Sequence, residues 1–490
     1  MNPLGLSEEF ENILNSAAEK LKSWITSDEK IIRLSSHIDA DGISAAGILC
    51  HALNRLNARY HLRILRQLEP KFIESLAKEK RNCYIFSDFG SGQLNFIQKF
   101  LPTENVIILD HHEPLKRSKS PPNIIEINPH FYGIDGSTEI SGAGVSFLFA
   151  YYLNPTENID LLHLALVGAL GDTQDKAKQH TLIGLNAKIA ELGVKENLLQ
   201  IEKDLYFQYS ELKPIHKVLM ETTEPYLPGL TGNEEACVRF LGSIGIPQHA
   251  GENWRTISEL STEEKKNLTT QLTQLILSHD GTSEEASSLV GTKYKVLTET
   301  ELYLSEARTY ASLLNACGRT RNPGIGVAVC LGDRETHYRQ AQDLLVQYQT
   351  KINSLMEKIK RPGTIRETEN IQYFYAGEGD ETMVGTISTI AVKTKIAKPS
   401  KPLIGFSKSD DKDFKISARA QDELVKKGLH LAIALRKTIS ELGIDTSNYQ
   451  AGGHDAAAGA RIPASHDSQF IETLNKIVKK QITKERTNFK

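Results

Sequence analysis

Ile31-Ile32-Arg33-Leu34-Ser35-Ser36-His37-Ile38-Asp39-Ala40-Asp41-Gly42 is the stretch whose reading decides the fold. An apolar, β-branched run delivers one imidazole and two carboxylates, then meets a glycine. The arrangement recurs twice. Tyr84-Ile85-Phe86-Ser87 leads to Asp88, and Val106-Ile107-Ile108-Leu109 leads to Asp110-His111-His112-Glu113-Pro114. Short apolar runs bounded by polar clusters read as buried strands. Three such strands ending in metal-type ligands place one acidic, imidazole-bearing pocket at the carboxyl edge of a parallel sheet.

Outward from these runs, Ser7–Trp24 and Ile43–Leu56 have helical spacing, and strands and helices alternate through residue 200. This is the signature of βαβ units with helices covering a parallel sheet. Gly142 and Gly144 open a further helix, and Leu161–Leu170 reads as a buried one ending at Gly171-Asp172-Thr173. The expected fold class is α/β, with a catalytic domain at 1–200 and an accessory region at 201–335. A linker helix at 336–362 and a C-terminal α/β domain at 363–490 follow. Within the accessory region Leu302–Leu314 is read as helix. In the C-terminal domain, strands are expected at Ile371–Tyr375, Pro402–Phe406 and Phe414–Ala418, with one helix from Leu424 to Leu442. Tyr373, Phe374 and Tyr375 are candidate stacking residues or core. Residues 476–490 read as a basic tail with a solvated helix face.

Across 490 residues, 58 Lys and Arg nearly balance 61 Asp and Glu, for a net charge of −3. No global basic field coats the chain, so any nucleic-acid contact is local. Five cysteines without CxxC spacing point to reduced thiols and an intracellular protein. The charged N-terminus is no signal peptide, and no uninterrupted apolar stretch approaches the ~18 residues of a membrane span. A cytoplasmic location is expected.

His37, Asp39 and Asp41 sit two residues apart, so an extended segment would turn them to one face. With Asp88, His111 and Asp172 they make six ligands of mixed nitrogen and carboxylate type, which suits Mn²⁺ better than an all-oxygen set would. Sharing one carboxylate, six ligands suffice for two metals ~3.5–4 Å apart, the arrangement that clamps an in-line phosphoryl displacement. A lone HxDxD or DHH is a weak signal. Three separate strand ends acquiring ligands together is a specific one.

His37-Ile38-Asp39-Ala40-Asp41-Gly42, Ser87-Asp88, Asp110-His111-His112 and Gly171-Asp172 resemble the four ordered motifs of the DHH phosphoesterases. Gly452-Gly453-His454-Asp455-Ala456-Ala457-Ala458-Gly459 is similar to the signature of the DHH-associated C-terminal domain. Leu314-Asn315-Ala316-Cys317-Gly318-Arg319 resembles a segment of RecJ exonucleases, and overall length looks most like the archaeal RecJ homologues that include the GINS-associated nuclease. The resemblance implies that His37 and Asp39 hold one metal, Asp41, His111 and Asp172 the other, and that Asp88 bridges. It makes Asp110 and His112 catalytic, Asp110 orienting the histidines and His112 facing the scissile phosphate. Asn315, Arg319, Ser417, Arg419, Gly452, Gly453 and His454 would bind substrate phosphates across a cleft.

The expected activity is a two-metal, Mn²⁺- or Mg²⁺-dependent exonuclease on single-stranded DNA, with RNA as a further candidate, in replication or repair. Resemblance alone implies 5′-to-3′ polarity and a GINS partner. The rivals are a phosphodiesterase of cyclic dinucleotides or short oligonucleotides, and a non-catalytic replisome scaffold.

Overall fold

The computed structural model describes residues 4–25, 31–79, 81, 83–114, 121–378, 381–409, 413–445, 449 and 451–488, with the side chains of 378 and 483–488 outside the description. The chain forms two compact units, Met1–Pro225 with Gly232–Val346, and Tyr226–Thr231 with Gln347–Lys490.

The first unit is built on five parallel strands: β1 (Ile31–His37), β2 (Arg59–Leu65), β3 (Cys83–Ser87), β4 (Asn105–Leu109) and β5 (Ile124–Ile127). They lie in the order β2-β1-β3-β4-β5. The chain leaves β1 toward one edge and returns to build β3, β4 and β5 toward the other. Right-handed crossovers then put the helices on opposite faces. Tyr84, Phe86, Val106 and Ile108 pack under the helices Pro70–Ala77 and Leu94–Phe100. Packing on the opposite face, helix Ala40–Arg55 meets the helices Gly142–Leu153 and Leu162–Gly171. The last of these, Leu-His-Leu-Ala-Leu-Val-Gly-Ala-Leu-Gly, is apolar nearly all round, as a helix enclosed on every side must be. The gap between β1 and β3 is thus the switch point where such sheets bind ligands.

Register aligns the motif residues. Ser36 pairs with Ser87, and Ser87 with Leu109, so His37, Asp88 and Asp110 each stand one residue beyond a common row. Helix Ala40–Arg55 starts three residues earlier than its apolar periodicity indicates, because the Asp39 carboxylate accepts from Gly42 N–H at 3.1 Å and caps it. Asp41 therefore lies in the first helical turn. The expectation of one extended His37–Asp41 segment is corrected: His37 ends a strand, Asp39 is a cap and Asp41 is helical.

The accessory region leaves through strand Leu199–Leu205 and returns through Val290–Val296, which pair antiparallel. Asp175, Tyr206 and Arg308 join the neck, since Tyr206 Oη and the Arg308 guanidinium both donate to the buried Asp175 carboxylate. A further difference is the helix expected at Leu302–Leu314, which runs Ala307–Arg319 because the Glu306 carboxylate accepts from the amides of Arg308 and Thr309.

In the second unit, six strands are ordered Arg366–Glu367, Gln372–Glu378, Leu403–Lys408, Asp413–Arg419, Ala457–Pro463 and Ala451–Gly453. Only the pair Gln372–Glu378 and Leu403–Lys408 is parallel. The long helix Thr336–Lys360 precedes this sheet. Leu424–Leu442 is two helices, Asp422–Lys426 and Leu431–Glu441, broken at Gly428 with φ 87°. Phe374 is core, and Tyr375 donates its hydroxyl to Asp467 at 2.8 Å. The final helix, Asp467–Asn488, buries Ile477 and Val478, so this part of the expected solvated tail is packed. The side chains beyond 482, and residues 489–490, lie outside the described residues.

Candidate metal centre

His37, Asp39 and Asp88 offer ligand atoms within 4.8 Å of one another, and so do Asp41, His111 and Asp172. The two sets meet at Asp88. Its Oδ2 lies 3.3 Å from His37 Nδ1 and its Oδ1 3.2 Å from His111 Nε2. Asp88 reaches this position with φ 60°, a left-handed conformation that aspartate tolerates better than most residues. On the far side, His111 Nε2 stands 3.6 Å from Asp41 Oδ2 and 3.5 Å from Asp172 Oδ2.

Each ligand is held from behind. Asp41 accepts from Gly142 N–H at 2.6 Å and Ala143 N–H at 2.8 Å, at the positive end of helix Gly142–Leu153. Asp172 caps the end of Leu162–Gly171. Two glycines, Gly142 at the expected helix start and Gly168, which the sequence did not single out, set the packing distance. A Cβ on Gly142 would stand 2.6 Å from Asp88 Oδ1, and one on Gly168 would stand 2.3 Å from Asp41 Oδ1.

Asp110 is placed differently. It accepts from Ser91 N–H at 2.9 Å, His111 N–H at 2.8 Å, His112 N–H at 3.1 Å and His112 Nδ1–H at 2.8 Å. Three of these donors fall on Oδ1 and one on Oδ2, so the carboxylate is fixed against the backbone and the His112 ring. Burial would raise its carboxyl, but the bond from His112, the charges of His112 and His111 and the His112 amide together outweigh this and bring it down to about 2. His112, with 58 % of its side chain exposed, keeps Nε2 out of that bond, and one of its ring nitrogens lies within 4.8 Å of ligand atoms of Asp88 and His111. The buried Asn128, another residue the motifs did not reveal, donates to His112 O and to Ser91 Oγ, both at 2.9 Å.

Burial opposes every charge in the cluster. It works to lower His37 and His111, yet the carboxylates around them outweigh it and hold both imidazoles well above their ordinary range. Burial first, then Asp88 and Asp172, drive the Asp41 carboxyl far up. Asp172, also raised by burial and by Asp39 and Asp88, reaches about 7 despite His111. Asp39 goes the other way: burial would raise it, but His37, the Gly42 amide and Arg319 together overcome this and hold it below the usual range.

The cluster therefore carries more negative charge than its imidazoles neutralise. Both oxygens of Asp88 and Nε2 of His111 are buried without a hydrogen-bond partner among the described residues. Buried polar atoms are normally satisfied, and the Asp88 carboxylate meets the His37 and His111 imidazoles at 3.3 and 3.2 Å without a well-directed bond. Two imidazoles and four carboxylates converging on such orphan atoms fit divalent cations with Mn²⁺-like preferences.

The remaining candidate residues are divided between the units. In the first, Asn315 is turned to the motif loop, where its Oδ1 accepts from Ala40 N–H at 3.0 Å. Arg319, on the same helix, acts on Asp39 through its charge. In the second, Ser417 and Arg419 lie on the strand Asp413–Arg419, and the Ser417 hydroxyl is buried without a hydrogen-bond partner among the described residues. Arg419 Nε donates to Thr389 Oγ1 at 2.9 Å. Gly385 lies beside them: a Cβ there would make ordinary contact, 3.4 Å from Arg419 Nη2 and 3.6 Å from Ser417 Oγ. Ser417 pairs with Gly459, which pairs with Gly452. Gly453 has φ 120°, and His454 N–H donates to Ala457 O at 2.8 Å while its side chain is exposed.

Residues 31–169 match the DHH family N-terminal domain, 209–290 the DHH-CID domain and 370–482 the DHHA1 domain. An uncharacterized protein of Methanocaldococcus jannaschii is 32 % identical over 477 residues, covering 96 % of this chain and 98 % of the relative. The chain belongs to the DHH family. DHH proteins are a class of metal-dependent phosphoesterases, and within that class this chain is RecJ-like. The single-stranded-DNA-specific exonuclease RecJ of Bacillus subtilis is 27 % identical over 197 residues, or 37 % of this chain and only a quarter (25 %) of the relative. Two solved structures share the fold. RecJ of Thermus thermophilus in complex with Mn²⁺ superposes with a TM-score of 0.58 at 17 % identity, over 96 % of this chain and 55 % of that one. CDC45 of Entamoeba histolytica superposes with a TM-score of 0.64 at 14 % identity, over 95 % and 99 %. Among the described residues no helix is long and apolar enough to cross a membrane.

Proposed function

We propose that this chain is a single-strand-specific exonuclease that hydrolyses phosphodiester bonds of DNA, and of RNA as a second substrate, with two divalent ions. The observation that carries the reading is the pair of ligand sets meeting at the orphaned, buried carboxylate of Asp88. His37 and Asp39 would hold one ion, Asp41, His111 and Asp172 the other, with Asp88 between them. Mn²⁺ is the first choice, and Mg²⁺ the substitute. Bound there, such ions lower the pKa of water and neutralise phosphate charge.

The chain's own groups supply the rest. His112 keeps its Nδ1 proton on Asp110, whose carboxylate raises the imidazole against the opposing effect of burial, and in the imidazolium form its Nε2–H is suited to donating to a phosphate or leaving oxygen. Arg319 in one unit, and Ser417, Arg419 and the Gly452-Gly453-His454 turn in the other, would hold strand phosphates, for which a guanidinium and close-approaching backbone amides are suited. Asn315 contributes by holding the motif loop. RecJ likeness supports 5′-to-3′ polarity and a role in replication or repair, with GINS as the proposed partner.

End-labelled single strands of DNA and RNA, a duplex and a dinucleotide, each with Mn²⁺ and with Mg²⁺, test this. A 5′ label should leave at once as a mononucleotide, with the duplex resistant. Hydrolysis of the dinucleotide alone would replace this reading with the small-substrate phosphodiesterase. The likeness in fold to CDC45 favours one further reading, a non-catalytic scaffold, and hydrolysis of nothing with either ion would select it.

A further inference from the structure

We propose that Gln174 is a positioning residue for one half of the metal centre, the half formed by Asp41, His111 and Asp172. This rests on the metal-centre reading above and adds to it a division of labour. Gln174 is buried, with 1 % of its surface exposed, and every polar function of its amide is used. Nε2 donates to Gly136 O at 2.9 Å and to Ile140 O at 3.3 Å, and Oε1 accepts from Asn186 Nδ2 at 2.7 Å.

Each carbonyl that it grips supports a ligand. Gly136 O also accepts from His111 Nδ1 at 2.6 Å. A carbonyl cannot donate, so this bond fixes the His111 proton on Nδ1 and turns Nε2 toward Asp41, Asp88 and Asp172. Ile140 immediately precedes Ser141, the cap of the helix whose first two amides hold Asp41. The third ligand, Asp172, lies two residues before Gln174, across the left-handed turn at Thr173 with φ 55°, and Gln174 N–H anchors that turn to Ala169 O at 3.0 Å. The side-chain amide thus ties together the supports of His111 and Asp41, and the main-chain amide of the same residue anchors the turn that carries Asp172. Asp39 is held by other means, the Gly42 amide and the charge of Arg319, and His37 Nδ1 lies 2.9 Å from Asp39 Oδ2.

A buried glutamine that merely satisfies the backbone would affect both halves alike or neither, so the two metal positions report on its role separately. Gln174→Met keeps the length and fill of the side chain and removes both donors. Full-length wild type and variant are titrated with Mn²⁺ alone by calorimetry, with thermal unfolding of the metal-free proteins beside it. One of two Mn²⁺ binding events should weaken ~10–100-fold while the other stays within ~2-fold of wild type. Gln174→Glu, which retains the acceptor for Asn186 but loses both donors, should do the same and serves if the methionine variant does not fold. Two events at wild-type affinity, or two weakened in parallel, would overturn the assignment. A wild type that binds no Mn²⁺ would overturn the metal centre itself.

Discussion

Gly318→Ala adds one methyl group at a point where a helix rests directly on the motif loop. The helix Ala307–Arg319 approaches so closely that a Cβ on Gly318 would stand 1.9 Å from Ile38 O, where ordinary contact begins at 3.4 Å. Helix and loop must part by about 1.5 Å, and three residues earlier Asn315 holds the Ala40 amide at 3.0 Å, a bond that cannot survive that displacement. Overpacking of this kind costs ~1–3 kcal/mol, and the lost bond about 1 more. A domain margin of ~5–15 kcal/mol absorbs most of that, so the variant should fold. Catalysis is far less tolerant. Ile38 stands between His37 and Asp39, and a displacement of ~1 Å in a reacting constellation costs on the order of 100-fold. Initial rates on a labelled single strand at saturating Mn²⁺, together with thermal unfolding, measure both effects. A rate within ~3-fold of wild type at an unchanged unfolding temperature would refute the claim that this helix sets the position of the loop.

Asp88→Asn should abolish hydrolysis and weaken Mn²⁺ binding at both ligand sets, since Asp88 faces His37 at 3.3 Å and His111 at 3.2 Å; retained Mn²⁺-dependent hydrolysis would remove Asp88 from the place between the two ions. Arg419→Ala should raise KM more than it lowers kcat and reduce by ~0.7 the slope of log affinity against log salt; an unchanged slope removes Arg419 from the phosphate contacts. The Asp110 carboxyl, brought from 3.8 to about 2, is a depressed group, so its stabilisation is complete above the unfolded value and is lost as pH falls from about 5 toward 2. At ~1.4 kcal/mol per unit this amounts to about 2 kcal/mol, read as the difference in acid unfolding between wild type and Asp110→Asn, and parallel acid profiles would contradict it.

The runs before His37, Asp88 and Asp110 were legible because buried parallel strands are continuously apolar, and their ligands had to emerge where that apolarity stops. Less legible was the grouping of the ligands. A period of two joins His37, Asp39 and Asp41, but the cap at Asp39 turns the chain into a helix and sends Asp41 to the other set. The helix ending at Arg319 was read five residues early, since Leu302, Tyr303 and Leu304 continue its apolar pattern while the capping carboxylate of Glu306 alone fixes the start. Asn128 and Gly168 carried no local signal. Their importance comes from what the tertiary fold presses against them, which a single chain written as a line does not display.

The paired strands Leu199–Leu205 and Val290–Val296, with Asp175 clasping both Tyr206 and Arg308, make the accessory region a side trip that departs and arrives through one doorway. A detour whose endpoints are already zipped together can be lengthened at slight entropic cost, ~0.6 kcal/mol for each doubling. Docking elements can therefore be acquired, traded or discarded between residues 206 and 289 while the threshold beside Asp172 stays put. That geometry leaves the length of the excursion independent of the ligands it springs from.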